Sequence, residues 1–455
     1  MSLLPKRGSE GSRRLLFTFA DQGISSTSNF AVGLAIARLA GPTEFGAYML
    51  VFTLWLVVLG CHRAIVTEPI IVSTAGRDAP ETVSHGVSAE LLLGAAVSAL
   101  ALIAGLACSA AGAQIATPML AMSPWFVFLL VQDYWRAMAF RQRRPGLALV
   151  NDSVYAVVQV VAAGAFWLLG WRSVGSMITA WGIGAAAGAF LGLIWFPATY
   201  APRAGQELVR RLWHLGRWLL LDYLASFASD YSYLILVAGL LSGVAYGGFR
   251  AAYNLLGPML VLVLAAANIG LPAAAAHNNP DDPEELRRFA RRLSALSTIC
   301  IAAYGLGVAV AGDVMLRVLY GPKFAGYGFL ATLTAVQYVV TAMVLGQGVA
   351  LKAAGKLRRL WRIRTLMAIA SLISTFFLVR WFGVDGAGWG TAATGVYYSA
   401  GVWWLYRREL VHGGDHDARF ATRPATSVVT FGSIMEAAEA AAAPPPSPRG
   451  SQLPT

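Results

Sequence analysis

Two arginines occupy stretches with little else to hold a charge. Arg63 sits in LVVLGCHRAIVTEPIIV and Arg250 in GVAYGGFRAAYNLLGP, both within apolar runs of membrane-spanning length. A guanidinium beside a wet cavity grips phosphate or carboxylate through two parallel hydrogen bonds. The competing reading is an ion pair inside the bundle or, for Arg250, a side chain reaching out to the interface. Glu68 lies near Arg63, but five positions along a helix is a poor spacing for pairing. Arg136 follows Asp133 by three, the spacing of local neutralisation.

A second polar pattern is a stripe. The first apolar segment, FADQGISSTSNFAVG, carries Asp21, Gln22, Ser25, Ser28 and Asn29, and Asp21, Ser25 and Ser28 follow the i, i+4, i+7 spacing of one helix face. The face returns at a constant offset of 201 positions as Asp222, Ser226 and Ser229, with Asp230 opposite Asn29. Ala37, Leu39, Gly46 and Leu54 likewise match Ala238, Leu240, Gly247 and Leu255. Polar and ionisable groups at the bilayer centre cost about 2.5–3.5 kcal/mol each on insertion scales, so they persist where they face a wet cavity or glue helices together. The candidate substrate contacts are Arg63, Arg250, Ser25, Asn29, Ser226 and Asn254. The candidate ion-coupling or cavity groups are Asp21, Glu68, Asp222 and Asp230, of which Asp21 and Asp222 also suit an interfacial position.

The elements that must position these residues are membrane helices. Hydrophobic residues make up 57% of the chain and charged residues 13%, with a mean hydropathy of +0.59; ordinary soluble proteins carry about 25% charged residues. With about 20 apolar residues per crossing, spans are expected at 15–40, 45–72, 86–108, 117–140, 147–169, 174–197, 216–241, 245–275, 293–318, 326–351, 360–381 and 385–406. These give an all-α integral membrane protein of about twelve helices. A cytoplasmic segment (1–14) precedes one six-helix bundle (15–197), a basic linker (198–215) leads to a second (216–408), and a Pro/Ala-rich cytoplasmic tail (409–455) reads as disordered. Six spans per half make the repeat parallel, about an axis along the membrane normal.

The net charge of +12 has the same origin. Lys and Arg crowd alternate loops, among them Arg141 to Arg144, Arg203 to Arg217, Arg287 to Arg292 and Lys352 to Arg364, which places both termini in the cytoplasm. No aromatic-interleaved basic groove points to nucleic acid. Pro69, Pro124 and Pro258 are expected to bend their spans, and Gly184, Gly188 and Gly192 form a ridge for close helix contact. Cys61, Cys108 and Cys300 are scattered without metal spacing, and His412 with His416 in the tail reads as chance. No GxxxxGK[ST], HExxH or GxSxG motif occurs, and the loops expected outside are short, so a transporter is expected rather than an enzyme.

The segment DQGISSTSNFAVGLAIARLAGPTEFGAYMLVFTL (21–54), continuing into RAIVTEPIIV (63–72), resembles bacterial polysaccharide flippases of the multidrug/oligosaccharidyl-lipid/polysaccharide exporter superfamily. RLAGPTEFGAY (38–48) is the most specific element; LYGPKFAGYGFLATLTA (319–335) and FGVDGAGWGTAATG (382–395) extend the likeness across the spans. The resemblance implies two bundles about a V-shaped cleft. It implies alternating-access transport of an undecaprenyl-pyrophosphate-linked oligosaccharide for O-antigen, capsule or exopolysaccharide in the bacterial inner membrane. It implies no cofactor beyond coupling to H+, Na+ or membrane potential, and partners that include membrane lipids, a polysaccharide polymerase and other assembly proteins. Cleft cations would hold the pyrophosphate, a role that falls to Arg63 and Arg250, although the offset pairs Arg250 with Met49. The rivals are a drug/cation antiporter of the same fold, a lipid II flippase with more spans, and a membrane-embedded polymerase or ligase.

Overall fold

The computed structural model describes residues 30–73, 80–142, 144–278 and 282–411. These form twelve consecutive helical spans. The first half holds α1 (Phe30–Ala40), α2 (Pro42–His62, carried through a π turn at Arg63–Thr67 into Glu68–Ser73) and α3 (Pro80–Ala110). It continues with α4 (Ala116–Met122, a tight turn at Ser123–Trp125, then Phe126–Arg141), α5 (Pro145–Leu168) and α6 (Val174–Trp195). The second half holds α7 (Pro202–Leu240), α8 (Gly243–Leu255 and Gly257–Ala276), α9 (Pro283–Tyr320), α10 (Gly328–Met343 and Leu345–Ala353) and Leu357–Tyr406, which divides at Gly383 into α11 and α12.

Length and apolarity alone mark six of these runs as able to cross a membrane, one of them the doubled Leu357–Val411, and two bent pairs raise the number to eight. The remaining spans are α1, described only from Phe30, the interrupted α4 and the amphipathic α7, so the expected twelve stand. The basic linker expected at 198–215 is instead helical from Pro202 and continuous with α7. Pro202 at the helix start explains this, since the first turn needs no backbone donor there. The terminal segment 1–14, the whole of the first polar stripe and residues 412–455 lie outside the described residues.

Each anticipated proline bend has a physical counterpart. Pro124 lies in the tight turn that interrupts α4, and Gly257-Pro258 follows the 45° bend of α8. The Gly ridge of α6 also packs as expected. Gly188 faces Gln132 and Asn151, and Gly192 faces the Trp135 ring, whose Nε1 donates to Ala189 O at 3.1 Å.

The repeat is visible where the halves cross. A Cβ on Gly46 would stand 2.8 Å from Gly243 O and 3.1 Å from Gly247 N, while one on Gly247 would collide with Pro42 O. Positions 42 and 46 of α2 therefore meet 243 and 247 of α8, their own counterparts at the 201-residue offset. Arg38 seals the same end: its Nε donates to Leu319 O at 2.6 Å and its Nη2 to Val318 O, capping the last turn of α9.

Candidate functional site

Arg63 is placed by a defect in its helix. Pro69 has no N–H to give the Ile65 carbonyl, and α2 accommodates it by widening to a π turn, in which the Glu68 N–H donates to Arg63 O. That turn brings positions i and i+5 together. The sequence expectation that Glu68 is badly spaced for Arg63 is corrected accordingly: Glu68 lies within electrostatic reach of the guanidinium.

Arg63 is itself an ion-paired residue. Its Nε donates to Asp133 Oδ2 at 2.8 Å and its Nη2 to Asp133 Oδ1, a two-pronged bridge from α2 to α4. Asp133 Oδ2 also stands 2.9 Å from His62 Nε2, and His62 Nδ1 lies 3.0 Å from both oxygens of Glu90 on α3. Thr67 Oγ1 donates to Glu90 Oε1 at 3.3 Å. His62 and Glu90 are 0% exposed, whereas 35% of the Arg63 side chain remains exposed. Its open side borders a cavity of about 190 Å3 lined by Leu56, Leu59, Gly60, Tyr223, Phe227 and Tyr231. The cavity lies between α2 and α7, so Arg63 links a closed ion network to the boundary between the halves.

Asp133 is thus drawn toward Arg63 and His62, and the local pairing expected with Arg136 gives way to a contact across helices. Arg136 Nε lies 3.3 Å from Asp152 Oδ2 on α5. Gln132 Nε2 donates to Asp152 Oδ1 at 2.8 Å and to Asn151 Oδ1 at 3.0 Å, and Asn151 Nδ2 donates to Gly188 O at 2.8 Å. This second network fastens α4, α5 and α6.

Arg250 is the opposite case. It lies on α8 inside the crossing of the halves and is 4% exposed. Its Nε and Nη1 are buried without a hydrogen-bond partner, and among the described residues no carboxylate pairs with it. What surrounds it is aromatic. Its guanidinium carbon is 5.6 Å from the Tyr253 ring centre, a cation–π contact. Tyr48 from α2, Tyr233 from α7, Tyr246 from α8, Tyr320 from α9 and Tyr338 from α10 all lie within reach of its charge. The Tyr233 and Tyr246 hydroxyls approach Tyr253 and Thr53 without meeting hydrogen-bond geometry. A buried cation and two buried hydroxyls without hydrogen-bond partners gather in this seam. Such a set can take an anion with several acceptor oxygens.

Asn254, one turn beyond Arg250, places Nδ2 3.6 Å from Met49 Sδ across the crossing. Asp222, Ser226 and Asp230 lie on α7 with side chains outside the description, and Asp21, Ser25 and Asn29 precede the described residues. His62 and Glu90 were not singled out from the sequence. The available signal was depth: His62, Glu90 and Asp133 each fall eight to eleven residues, or about 12–16 Å of helix, from the same end of adjacent spans.

Twelve helices in two repeated halves, with ionisable side chains gathered inside and between them, define a multi-pass membrane protein of transporter architecture. The sequence profile of the polysaccharide biosynthesis protein family matches residues 35–329, and the chain belongs to that family. No curated protein sequence is similar enough to count as a match. Among solved structures, an inward-facing multidrug resistance MATE transporter of the MOP superfamily superposes with a TM-score of 0.72 at 13% identity, over 88% of this chain and 99% of that one. The lipid II flippase MurJ, in an inward closed conformation, gives 0.65 at 12% identity, over 86% and 87%. A MOP superfamily transporter from Pyrococcus furiosus, described as having a binding pocket of reverse polarity, gives 0.59 at 13%, over 87% and 94%. The shared feature is the fold, as the sequence resemblance implies.

Proposed function

We propose that the protein is a flippase that carries an undecaprenyl-pyrophosphate-linked oligosaccharide from the cytoplasmic to the outer leaflet of a bacterial inner membrane, without altering it chemically. The observation that carries this reading is Arg250, a buried guanidinium without a counter-ion among the described residues, in the seam between the halves. Leaving a buried charge uncompensated costs about 3–5 kcal/mol, a cost that a bound anion removes. Family membership in polysaccharide biosynthesis and the fold shared with a lipid II flippase favour a lipid-linked saccharide as the source of that anion.

Alternating access then has a physical path. In the state described here the seam is closed around Arg250, and Arg63 borders the cavity between α2 and α7. A pyrophosphate entering from the basic, cytoplasmic side meets Arg63 first and Arg250 when the α2–α8 crossing parts. Both termini face the cytoplasm in this scheme. A gradient of H+ or Na+, or the membrane potential, drives the cycle, and the product passes to a polysaccharide polymerase and its assembly partners. Contact with the sugar or the coupling ion is the role the sequence resemblance gives to Asp21, Asp222 and Asp230.

The test is flipping of an undecaprenyl-pyrophosphate-linked oligosaccharide in proteoliposomes containing the full chain. Arg250→Gln is expected to lower the rate by about 10–100-fold, the worth of a hydrogen-bonded contact to a charged group. Unchanged flipping in Arg250→Gln, or efflux of an organic cation with no saccharide flipping, would overturn the proposal.

A further inference from the structure

The Arg63 network contains a proton that the geometry makes countable. A carboxylate only accepts hydrogen bonds, so each of the two contacts of His62, to Glu90 at 3.0 Å and to Asp133 at 2.9 Å, needs its own hydrogen. A neutral imidazole between two carboxylates supplies one. The three groups together therefore hold one proton more than that state, as an imidazolium or as a carboxylic acid. With that proton and Arg63 the network is neutral; without it a charge of −1 is left in a site where His62 and Glu90 are fully enclosed. We infer that His62, Glu90 and Asp133 form a proton-binding site whose occupancy is set by the position of Arg63.

The exit is part of the structure. The Asp133 side chain is 8% exposed and bound to Arg63, which borders the cavity between α2 and α7. The proton passes from His62 Nε2 to Asp133 Oδ2 and then to water, leaving a neutral imidazole and two carboxylates; no electron moves. The π turn gives Arg63 a backbone joint at the point where it would leave Asp133. Among the described residues, the other ionisable groups facing the site are Glu68 and Tyr223, both acting on Arg63, and Tyr134, beside Glu90 with Arg141 behind it. An anion that draws Arg63 toward the cavity removes compensation from Asp133, so anion and proton binding reinforce each other. This link alone rests on the flippase reading.

The site is tested without any saccharide. Infrared difference spectra of the full chain in lipid, recorded between acidic and alkaline pH, should show an imidazolium/carboxylate transition that His62→Gln abolishes. Arg63→Gln removes a positive charge and should raise its midpoint by about 1–3 pH units; Glu90→Gln and Asp133→Asn remove a negative charge and should lower it. Should His62→Gln fail to fold, wild type labelled at histidine reports the same transition directly by NMR. Identical spectra in wild type and His62→Gln, a labelled His62 whose resonances do not move with pH, or a midpoint unmoved in Arg63→Gln would overturn the site. Inorganic pyrophosphate should raise the midpoint in wild type and leave Arg63→Gln unchanged; no shift in wild type would overturn the link to anions. Loss of the flippase reading in the proteoliposome assay, with the midpoint shifts intact, would leave the proton site standing.

Discussion

The two halves of the molecule treat the same side chain in opposite ways. In the first half Arg63 is held by Asp133, which also holds His62, which in turn holds Glu90; charges of both signs balance within one packed cluster. In the second half Arg250 has rings around it and no counter-ion among the described residues. A buried ion network is neutral to folding at best and punishing when broken, whereas an uncompensated charge is a standing cost with no structural return. The contrast separates their proposed roles: the Arg63 cluster is complete in itself, and the Arg250 cage is the one we propose a ligand completes.

The most severe way to break this comparison is Asp133→Asn. It strands Arg63 and His62 together and should cost about 3–5 kcal/mol of stability, read as a fall in the denaturation midpoint of the detergent-solubilised protein. Arg250→Met should act with the opposite sign. Removal of the lone charge leaves stability unchanged or raises it by about 1–4 kcal/mol, while flipping falls. A variant that destabilised the protein as Asp133→Asn does would mean that Arg250 has a structural partner after all.

The crossing that encloses Arg250 allows a finer test. Gly247→Val drives a branched side chain into the Pro42 carbonyl and should hold the seam apart, whereas Gly46→Ala, whose added carbon meets atoms at 2.8 Å and beyond, should do so less. Distances between spin labels at the Ala40 end of α1 and the Tyr320 end of α9 would report both. Arg38→Ala should give the smallest effect, a few-fold rise in the open fraction from loss of its bonds to Val318 and Leu319.

Much of this was legible in the chain. The spans follow from apolar length, the bends from Pro69, Pro124 and Pro258, and the repeat from the 201-residue offset, which the contact of Gly46 with Gly247 turns into geometry. Arg63 and Arg250 stood out because each is an ionised group in apolar sequence. What was hidden is partnership. Spacing rules describe neighbours on one regular helix, and they failed at Glu68 because the helix there is not an α-helix. They failed at Asp133 because its partners come from two other positions in the bundle, His62 and Arg63, and not from Arg136. Glu90 gave no local sign of function; its meaning depends on the depth at which α3 meets α2.

The most direct test of the central claim is a binding titration. Undecaprenyl pyrophosphate is added to detergent-solubilised wild type and to Arg250→Gln, and the thermal denaturation midpoint of each is followed. If the Arg250 cage is completed by an anionic lipid headgroup, wild type is stabilised progressively with concentration and Arg250→Gln is not. Equal stabilisation of both proteins would place the headgroup elsewhere and contradict the account.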